Sequence, residues 1–169
     1  EMACHIAGQG QPIVLVHGFP LDHEMWQHQI QCLSDHYQVI APDLRGFGAS
    51  QRGTAEMTMR QFACDLSELL QQVVGSDQVC FCGLSMGGYI AWEFYRAFKK
   101  RVSRLILCDT RAAADDEATA RARRMTARSV LKYGMSELAQ SMPDRLASLA
   151  WQQSHPKSVQ QLRDSIRRA

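Results

Sequence analysis

The chain has 169 residues, of which 46% are hydrophobic and 21% charged, as in ordinary globular domains and unlike disordered segments. Its net charge of +2 is too small to indicate a nucleic-acid or anionic-membrane partner. No apolar run approaches the roughly 20 residues of a membrane span, and no signal-peptide pattern opens the chain.

The charge is unevenly placed along the chain. Residues 1–110 carry 8 basic and 11 acidic side chains, whereas residues 111–169 carry 11 basic and 6 acidic ones. We interpret this shift as a boundary between two parts. Acidic residues are interspersed in the basic part and aromatic residues are not interleaved with it. A solvated helical surface therefore explains it better than a nucleic-acid site.

The six cysteines lie mostly in apolar stretches, where a free thiol behaves as a small buried hydrophobe. No pair has a zinc-site spacing with partner histidines, so we expect no metal. Cys80 and Cys82 are two apart on a predicted strand and therefore face the same side of it. This cysteine usage favours a reducing, cytoplasmic location.

Buried strands alternate with amphipathic helices over the first two thirds of the chain. The wholly apolar run at residues 13–16 is typical of a strand covered on both faces. Residues 43–58 form a loop that is too polar for the core, and Thr58 and Gly75 bound the helix that follows. In chain order we predict strand 13–16, helix 25–33, strand 37–41, helix 58–74, strand 78–82, helix 86–98 and strand 104–108. This alternation predicts an α/β fold with a parallel, doubly wound sheet.

The last third of the chain contains no predicted strand. Residues 111–169 are rich in Ala, Arg, Leu, Gln and Ser, and we expect short helices broken near Gly134, Pro143 and Pro156. The chain therefore divides into the N-terminal part of a sheet domain, residues 1–110, and a partial helical cap, residues 111–169.

A Gly-x-Ser-x-Gly sequence, with Gly83, Ser85 and Gly87, stands where a predicted strand ends and a helix begins. A serine on so sharp a turn is strained, with positive φ, and its neighbours two residues before and after must lack bulk. The turn lifts the Ser85 hydroxyl to the carboxyl end of the sheet and directs the helix N-terminus at the reacting centre. Ser85 is therefore the candidate nucleophile, and an ordinary serine in a glycine-rich turn is the less favoured alternative.

The sequence His17-Gly18-Phe19-Pro20 follows the first apolar strand. Because the carboxyl ends of adjacent parallel strands line one crevice, we expect this loop to meet the Ser85 turn. The backbone N–H groups of Phe19 and Met86 would then hold an oxyanion between them. We expect His17 to bond loop backbone rather than to act as the general base.

Three segments, residues 16–20, 42–50 and 83–88, together resemble the α/β-hydrolase superfamily. Within it, residues 17–26 and 82–94 are similar to 3-oxoadipate enol-lactonases and small carboxylesterases. The resemblance covers residues 11–110 and implies that Ser85 is the nucleophile and that Phe19 and Met86 form the oxyanion hole. It implies structural roles around the site for His17, Gly18, Asp43, Arg45, Gly46, Gly48, Ser50, Gly83 and Gly87.

The resemblance also implies segments beyond residue 169, since relatives continue after the cap with two strands that precede the catalytic acid and histidine. We therefore expect residues 1–169 alone to lack a complete triad, and the missing C-terminal half or another chain to complete the sheet. Asp109 occupies a position that a minority of the superfamily uses for the acid, but a structural role is favoured here. His155 has no motif around it.

These features predict a serine hydrolase that acts on a small-molecule carboxylic ester or lactone through an acyl-enzyme, without a cofactor. Two alternatives stay open. The first is a haloperoxidase-like perhydrolase, which shares these motifs. The second is a non-catalytic fragment or binding scaffold, because a fold alone does not establish a function.

Overall fold

The computed structural model describes residues 1–54, 56–75 and 77–168. Ala55 in the predicted loop, Ser76 before the third predicted strand and Ala169 in the predicted cap lie outside the described residues. The chain forms two compact units, residues 1–112 and residues 113–169.

The first unit contains a five-stranded sheet. Its strands are β1 (Cys4–Ala7), β2 (Gln11–Val16), β3 (Tyr37–Pro42), β4 (Val79–Leu84) and β5 (Val102–Cys108). The spatial order is β1-β3-β2-β4-β5. The pairs β3–β2, β2–β4 and β4–β5 are parallel, and β1 is antiparallel to β3. The predicted α/β fold with a parallel sheet is confirmed, and an antiparallel strand forms one edge.

The first unit also contains three helices: α1 (Gln27–Leu33), α2 (Met59–Val74) and α3 (Met86–Phe98). Helix α1 packs on β3, α3 packs on β4 and β5, and α2 packs on α3. The predicted boundaries of α2 are confirmed, because the Thr58 hydroxyl accepts a hydrogen bond from the Gln61 N–H at 3.1 Å and the chain turns at Gly75 with φ 62°. The helix predicted at residues 25–33 begins instead as a 3-10 turn, His23–Trp26, which Asp22 caps.

The central strands β2, β3 and β4 are mostly apolar and buried, whereas the edge strands β1 and β5 are partly exposed. Ile13, Leu15, Cys80 and Cys82 share one face with Trp26 of the 3-10 turn that precedes α1. On the opposite face, the Phe81 ring packs on Phe94 of α3, with ring centroids 5.0 Å apart. Each large apolar side chain buried in this way stabilises the fold by about 1.5–3 kcal/mol.

The loop after β3 departs from the sequence prediction. Its polarity predicts exposure, but that prediction is wrong for the first half, where Leu44 and Phe47 are buried together with Asp43 and Ser50. The polar groups are tolerated because they are paired. The Ser50 hydroxyl donates to the Asp43 carbonyl at 2.7 Å and accepts from the Ala3 N–H at 2.8 Å.

The second unit consists of helices α4 (Glu117–Tyr133), α5 (Ser136–Leu146), α6 (Leu149–Ser154) and α7 (Pro156–Arg168). The breaks predicted at Gly134 and Pro156 are confirmed. The break predicted at Pro143 is wrong, because Pro143 lies inside α5. Helix α5 packs on α7 and buries Met142 and Pro143, and this packing outweighs the helical hydrogen bond that proline cannot donate.

Within the described residues, no helix has both the length and the apolar character needed to cross a bilayer. All six cysteines are free thiols. The cytoplasmic location stays a prediction.

Candidate active site

Ser85 occupies the junction between β4, which ends at Leu84, and α3, which begins at Met86. Its backbone angles are φ 49° and ψ −109°, so the predicted positive φ is confirmed. L-residues rarely adopt this region, and such strain persists only where the surrounding structure imposes it. Ser85 therefore has the backbone expected of a sharp strand-to-helix turn.

Gly83 and Gly87 are both required by close backbone approaches. A Cβ at Gly83 would overlap the carbonyl oxygen of Gly87, which lies within the turn itself. A Cβ at Gly87 would overlap the carbonyl oxygen of Val16, which lies on the neighbouring strand β2. One glycine permits the turn, and the other permits α3 to begin against the sheet.

The loop after β2 lies beside Ser85. Val16 and Gly83 are register partners in parallel strands, so their chains leave the sheet side by side. A Cβ built on Gly18 would lie 3.5 Å from the Ser85 Cβ and 3.4 Å from the Leu84 carbonyl oxygen. The structure therefore brings together the two segments that the sequence predicts to meet.

The Phe19 and Met86 N–H groups make no hydrogen bond to another residue of the described chain. Met86 is the first residue of α3, where a backbone N–H has no intrahelical acceptor. The Phe19 peptide precedes a cis bond to Pro20. Phe19 is 42% exposed. Its ring and that of Phe47 form a T-shaped pair, with centroids 6.1 Å apart.

His17 is fully buried and bonds backbone through both ring nitrogens. The Leu44 N–H donates to Nε2 at 3.0 Å, so Nε2 carries no proton, and Nδ1 then donates to the Gly18 carbonyl at 3.1 Å. Burial lowers the pKa of His17 and outweighs the opposing effect of the Gly18 carbonyl. The neutral ring joins the β2 and β3 loops, and its nitrogens are not directed at a substrate.

Asp43 organises the loop that follows β3. One carboxylate oxygen accepts from the His23 N–H at 2.9 Å and from the His23 ring Nδ1 at 2.7 Å, and the other accepts from the Ala49 N–H at 2.9 Å. Burial opposes ionisation most strongly. The hydrogen bonds from Ala49 and His23 and the nearby His23 charge nevertheless hold the pKa of Asp43 below its usual value. Asp43 is therefore a structural acceptor.

Two glycines permit the loop to close around Asp43. Gly46 and Gly48 have φ values of 78° and 52°, which favour glycine. A Cβ at Gly48 would also overlap the Asp43 carboxylate. Gly48 is thus required both by its backbone conformation and by the space it leaves.

Arg45 attaches this loop to α2. Its Nε donates to one Asp65 oxygen at 2.7 Å and its terminal nitrogen donates to the other at 2.5 Å. The Gln61 side chain donates to the same carboxylate at 2.9 Å. The hydrogen bonds to Asp65 raise the pKa of Arg45. This bidentate pair holds the loop against α2.

One group of described residues has the composition of a metal site. Potential ligand atoms of Asp22, His23 and Asp43 all lie within 4.8 Å of one another. These atoms are engaged in hydrogen bonds, because Asp22 accepts from the Glu24 N–H and His23 donates to Asp43. The cluster is explained by loop structure and does not by itself assign a metal.

Asp109 and His155 are the acid and the histidine that the sequence offers as further candidates for the triad. Asp109 follows β5, is exposed, and has φ 40°. His155 lies in the second unit, where its Nδ1 is 2.9 Å from the Ser154 hydroxyl and its ring stacks on Trp151. Among residues 1–54, 56–75 and 77–168, no side chain makes a hydrogen bond to the Ser85 hydroxyl.

Sequence reasoning missed three side chains around the site: His23, Asp65 and Thr110. The sequence did give a signal for Asp65, because it is a charged residue within the apolar stripe of α2. In the structure it is buried. His23 and Thr110 gave none, since neither belongs to a regular spacing. The Thr110 hydroxyl donates to the Ser85 carbonyl at 2.8 Å.

Several known proteins with similar sequences or structures are named as hydrolases. A thermophilic esterase from Thermogutta terrifontis has 40% sequence identity and a TM-score of 0.92, with 98% of this chain and 61% of that chain covered. The soluble epoxide hydrolase of Corynebacterium sp. strain C12 is 40% identical over 103 residues, which are 61% of this chain and 36% of that protein. The 3-oxoadipate enol-lactonase 2 of Acinetobacter baylyi is 31% identical over 138 residues, 82% of this chain and 50% of that protein.

The chain thus spans between about a third and a half of these two curated relatives. The family model for the alpha/beta hydrolase fold matches residues 11–157, which include strands β2 to β5, the Ser85 turn and most of the helical unit. The chain belongs to the α/β-hydrolase family.

Proposed function

We propose that this chain carries the nucleophile and the oxyanion donors of a serine hydrolase acting on small carboxylic esters or lactones. The observation that carries the proposal is the conformation of Ser85, a non-glycine residue at φ 49° between a buried strand and a helix. The adjacency of Gly18 to the Ser85 side chain supports it. The division into a sheet core of residues 1–110 and a cap of residues 111–169 belongs to the same proposal.

In the proposed reaction, the Ser85 oxygen attacks the carbonyl carbon and a general base takes the hydroxyl proton. The carbonyl electrons move to oxygen, where the Phe19 and Met86 N–H groups stabilise the charge, each by about 3 kcal/mol. The carbonyl then re-forms, the bond to the alcohol oxygen breaks, and that oxygen takes the proton from the general base, which leaves an acyl ester on Ser85. The alcohol leaves from an open-chain ester and stays tethered to the acyl group when a lactone opens. Water then attacks that ester and regenerates the hydroxyl. The general base is the histidine that the family resemblance implies outside this chain.

One similar protein is named an epoxide hydrolase, so esters and epoxides are both candidate substrates. The chemistry of the nucleophile distinguishes between them. A serine oxygen that opens an epoxide forms an ether, which has no carbonyl for water to attack. The enzyme would stay alkylated after one event. With an ester or lactone the intermediate is itself an ester, and the same donors assist its hydrolysis. Ser85 therefore favours acyl substrates.

The test compares wild-type protein, Ser85→Ala and Ser34→Ala on p-nitrophenyl butyrate, γ-butyrolactone and styrene oxide, using the complete natural protein. Ser34 is a matched control because its hydroxyl donates only to the nearby Gln31 carbonyl, at 3.3 Å. We expect ester or lactone hydrolysis to fall by about 10⁴-fold or more in Ser85→Ala, to persist in Ser34→Ala, and epoxide turnover to be absent. Hydrolysis that survives in Ser85→Ala would refute the proposal. Absence of hydrolysis in the wild-type protein would favour a binding scaffold.

A further inference from the structure

Two residues of the described chain other than glycine have positive φ, and they lie side by side. Ser85 follows β4 with φ 49°, and Asp109 follows β5 with φ 40°. The last register partners of these parallel strands are Leu84 and Cys108, so the two strained residues leave the sheet together. Since strain of this kind requires support, the contacts between the two turns explain how Ser85 is held.

The Ser85 peptide groups are bonded on both sides. Its N–H donates to the Cys108 carbonyl at 2.9 Å, which extends the pairing of β4 with β5. Its carbonyl accepts from the Thr110 hydroxyl at 2.8 Å, from the Gly88 N–H at 3.0 Å and from the Tyr89 N–H at 3.4 Å. The Gly88 and Tyr89 bonds belong to α3 and move with that helix. The Thr110 bond ties the same carbonyl to the segment after β5.

The Thr110 side chain fits against the first turn of α3. A Cβ at Gly88 would overlap the Oγ1, Cγ2 and Cβ atoms of Thr110. Gly88 therefore leaves the space through which the threonine reaches the Ser85 carbonyl. Because Thr110 is β-branched, few rotamers are open to it and its hydroxyl is held in place.

The Ser85–Met86 peptide links this bond to the oxyanion site. A trans peptide is planar, and its C=O and N–H groups point in opposite directions. Any contact that fixes the direction of the Ser85 carbonyl therefore also fixes the direction of the Met86 N–H. Oxyanion donors are effective only when they are oriented before the charge develops.

We propose that Thr110 is a positioning residue for the oxyanion site. Its hydroxyl holds the Ser85 carbonyl and thereby aims the Met86 N–H at the developing oxyanion. This inference rests on the proposed function and deepens it, because it assigns a role at the same site to a side chain that bonds the Ser85 carbonyl.

The test uses Thr110→Val, which keeps the branched shape and removes the hydroxyl, and Thr110→Ser, which keeps the hydroxyl and removes the methyl. Thr58→Val is the matched control, because it removes another bonded threonine hydroxyl at the start of α2. With p-nitrophenyl butyrate and the complete natural protein, we expect kcat to fall by about 10- to 100-fold in Thr110→Val. This loss is smaller than the roughly 10²–10³-fold loss on removal of a whole oxyanion donor. The KM of Thr110→Val should change by less than about threefold. The kcat of Thr110→Ser and that of Thr58→Val should stay within about threefold of the wild-type value.

A wild-type kcat in Thr110→Val would overturn the proposal, and so would a Thr110→Ser variant as slow as Thr110→Val. If Thr110→Val does not fold, Thr110→Ala and Thr110→Ser differ by the single oxygen atom in question, and equal rates in that pair would overturn it. Crystal structures of these variants decide the matter independently of activity. A rotated Ser85–Met86 peptide in the variant without the hydroxyl would show that Thr110 orients the Met86 N–H, whatever the result for Ser85→Ala, and an unmoved peptide overturns the proposal.

Discussion

The Asp43 carboxylate receives three hydrogen bonds that an asparagine side chain cannot all accept. The His23 N–H and ring bond one oxygen, and the Ala49 N–H bonds the other. In Asp43→Asn, the single amide oxygen can serve the His23 pair, but the amide nitrogen then faces the Ala49 N–H, and both groups are donors. The Ala49 N–H therefore loses its acceptor. The two bonds from His23 remain, but they are now made to a neutral oxygen instead of a carboxylate.

The expected loss in the free energy of unfolding follows from these hydrogen bonds. A hydrogen bond to a charged group contributes about 1.5–3 kcal/mol, and a neutral acceptor is weaker. The Asp43 side chain is 1% exposed, so water does not replace the lost partner. We therefore expect Asp43→Asn to lower the free energy of unfolding by about 2–4 kcal/mol at pH 7.

The pH dependence of this loss has a definite sign. The folded protein holds the pKa of Asp43 below its usual value, so its carboxylate contributes stability above the unfolded pKa of about 3.9 and loses it as the pH falls through the folded pKa. Asparagine does not titrate. The stability difference between wild type and Asp43→Asn should therefore be full at pH 7 and should shrink below about pH 4.

Urea unfolding followed by circular dichroism between pH 7 and pH 3 measures this difference. Asp35→Asn is the matched control, because Asp35 is exposed and its substitution should change stability by less than about 0.5 kcal/mol. A change of similarly small size in Asp43→Asn at pH 7, or a difference that widens on acidification, would refute the assignment of Asp43 as a structural acceptor.

Two further substitutions test the packing around Ser85. Gly87→Ala places a methyl group against the Val16 carbonyl. We expect urea unfolding to show a loss of about 1–3 kcal/mol in the free energy of unfolding, and steady-state kinetics to show a more than tenfold loss of ester hydrolysis. Wild-type values for both would contradict the close approach. His17→Leu leaves the Leu44 N–H and the Gly18 carbonyl unpaired, and calorimetry should show a loss of about 2–5 kcal/mol. A loss under about 1 kcal/mol would show that those backbone groups find other partners.

Local sequence signals predicted the features that local interactions produce. An apolar run followed directly by Gly-x-Ser-x-Gly specifies a buried strand, a sharp turn and a helix, and the structure has β4, Ser85 at positive φ and α3 in that order. Thr58 and Gly75 likewise bound α2 through contacts within a few residues. Such signals depend on backbone sterics and capping, which can be recognised from residues close together in the chain.

The features that sequence could not predict depend on partners far apart in the chain. Asp43 and Arg45 are each paired with residues 20 positions away, so a loop that is polar in sequence is buried in the fold. Thr110 reaches Ser85 across 25 positions. Pro143 stays inside α5 because α7 supports that helix. In each case, the outcome depends on a tertiary contact that the local pattern does not reveal.

A fluorophosphonate probe decides whether Ser85 is the nucleophile, because such probes bond covalently to activated serine hydroxyls. The complete natural protein is treated with the probe, digested and analysed by mass spectrometry. We expect one adduct per chain, located on Ser85 and absent from Ser85→Ala. An adduct on a different residue, or labelling that is unchanged in Ser85→Ala, would contradict it.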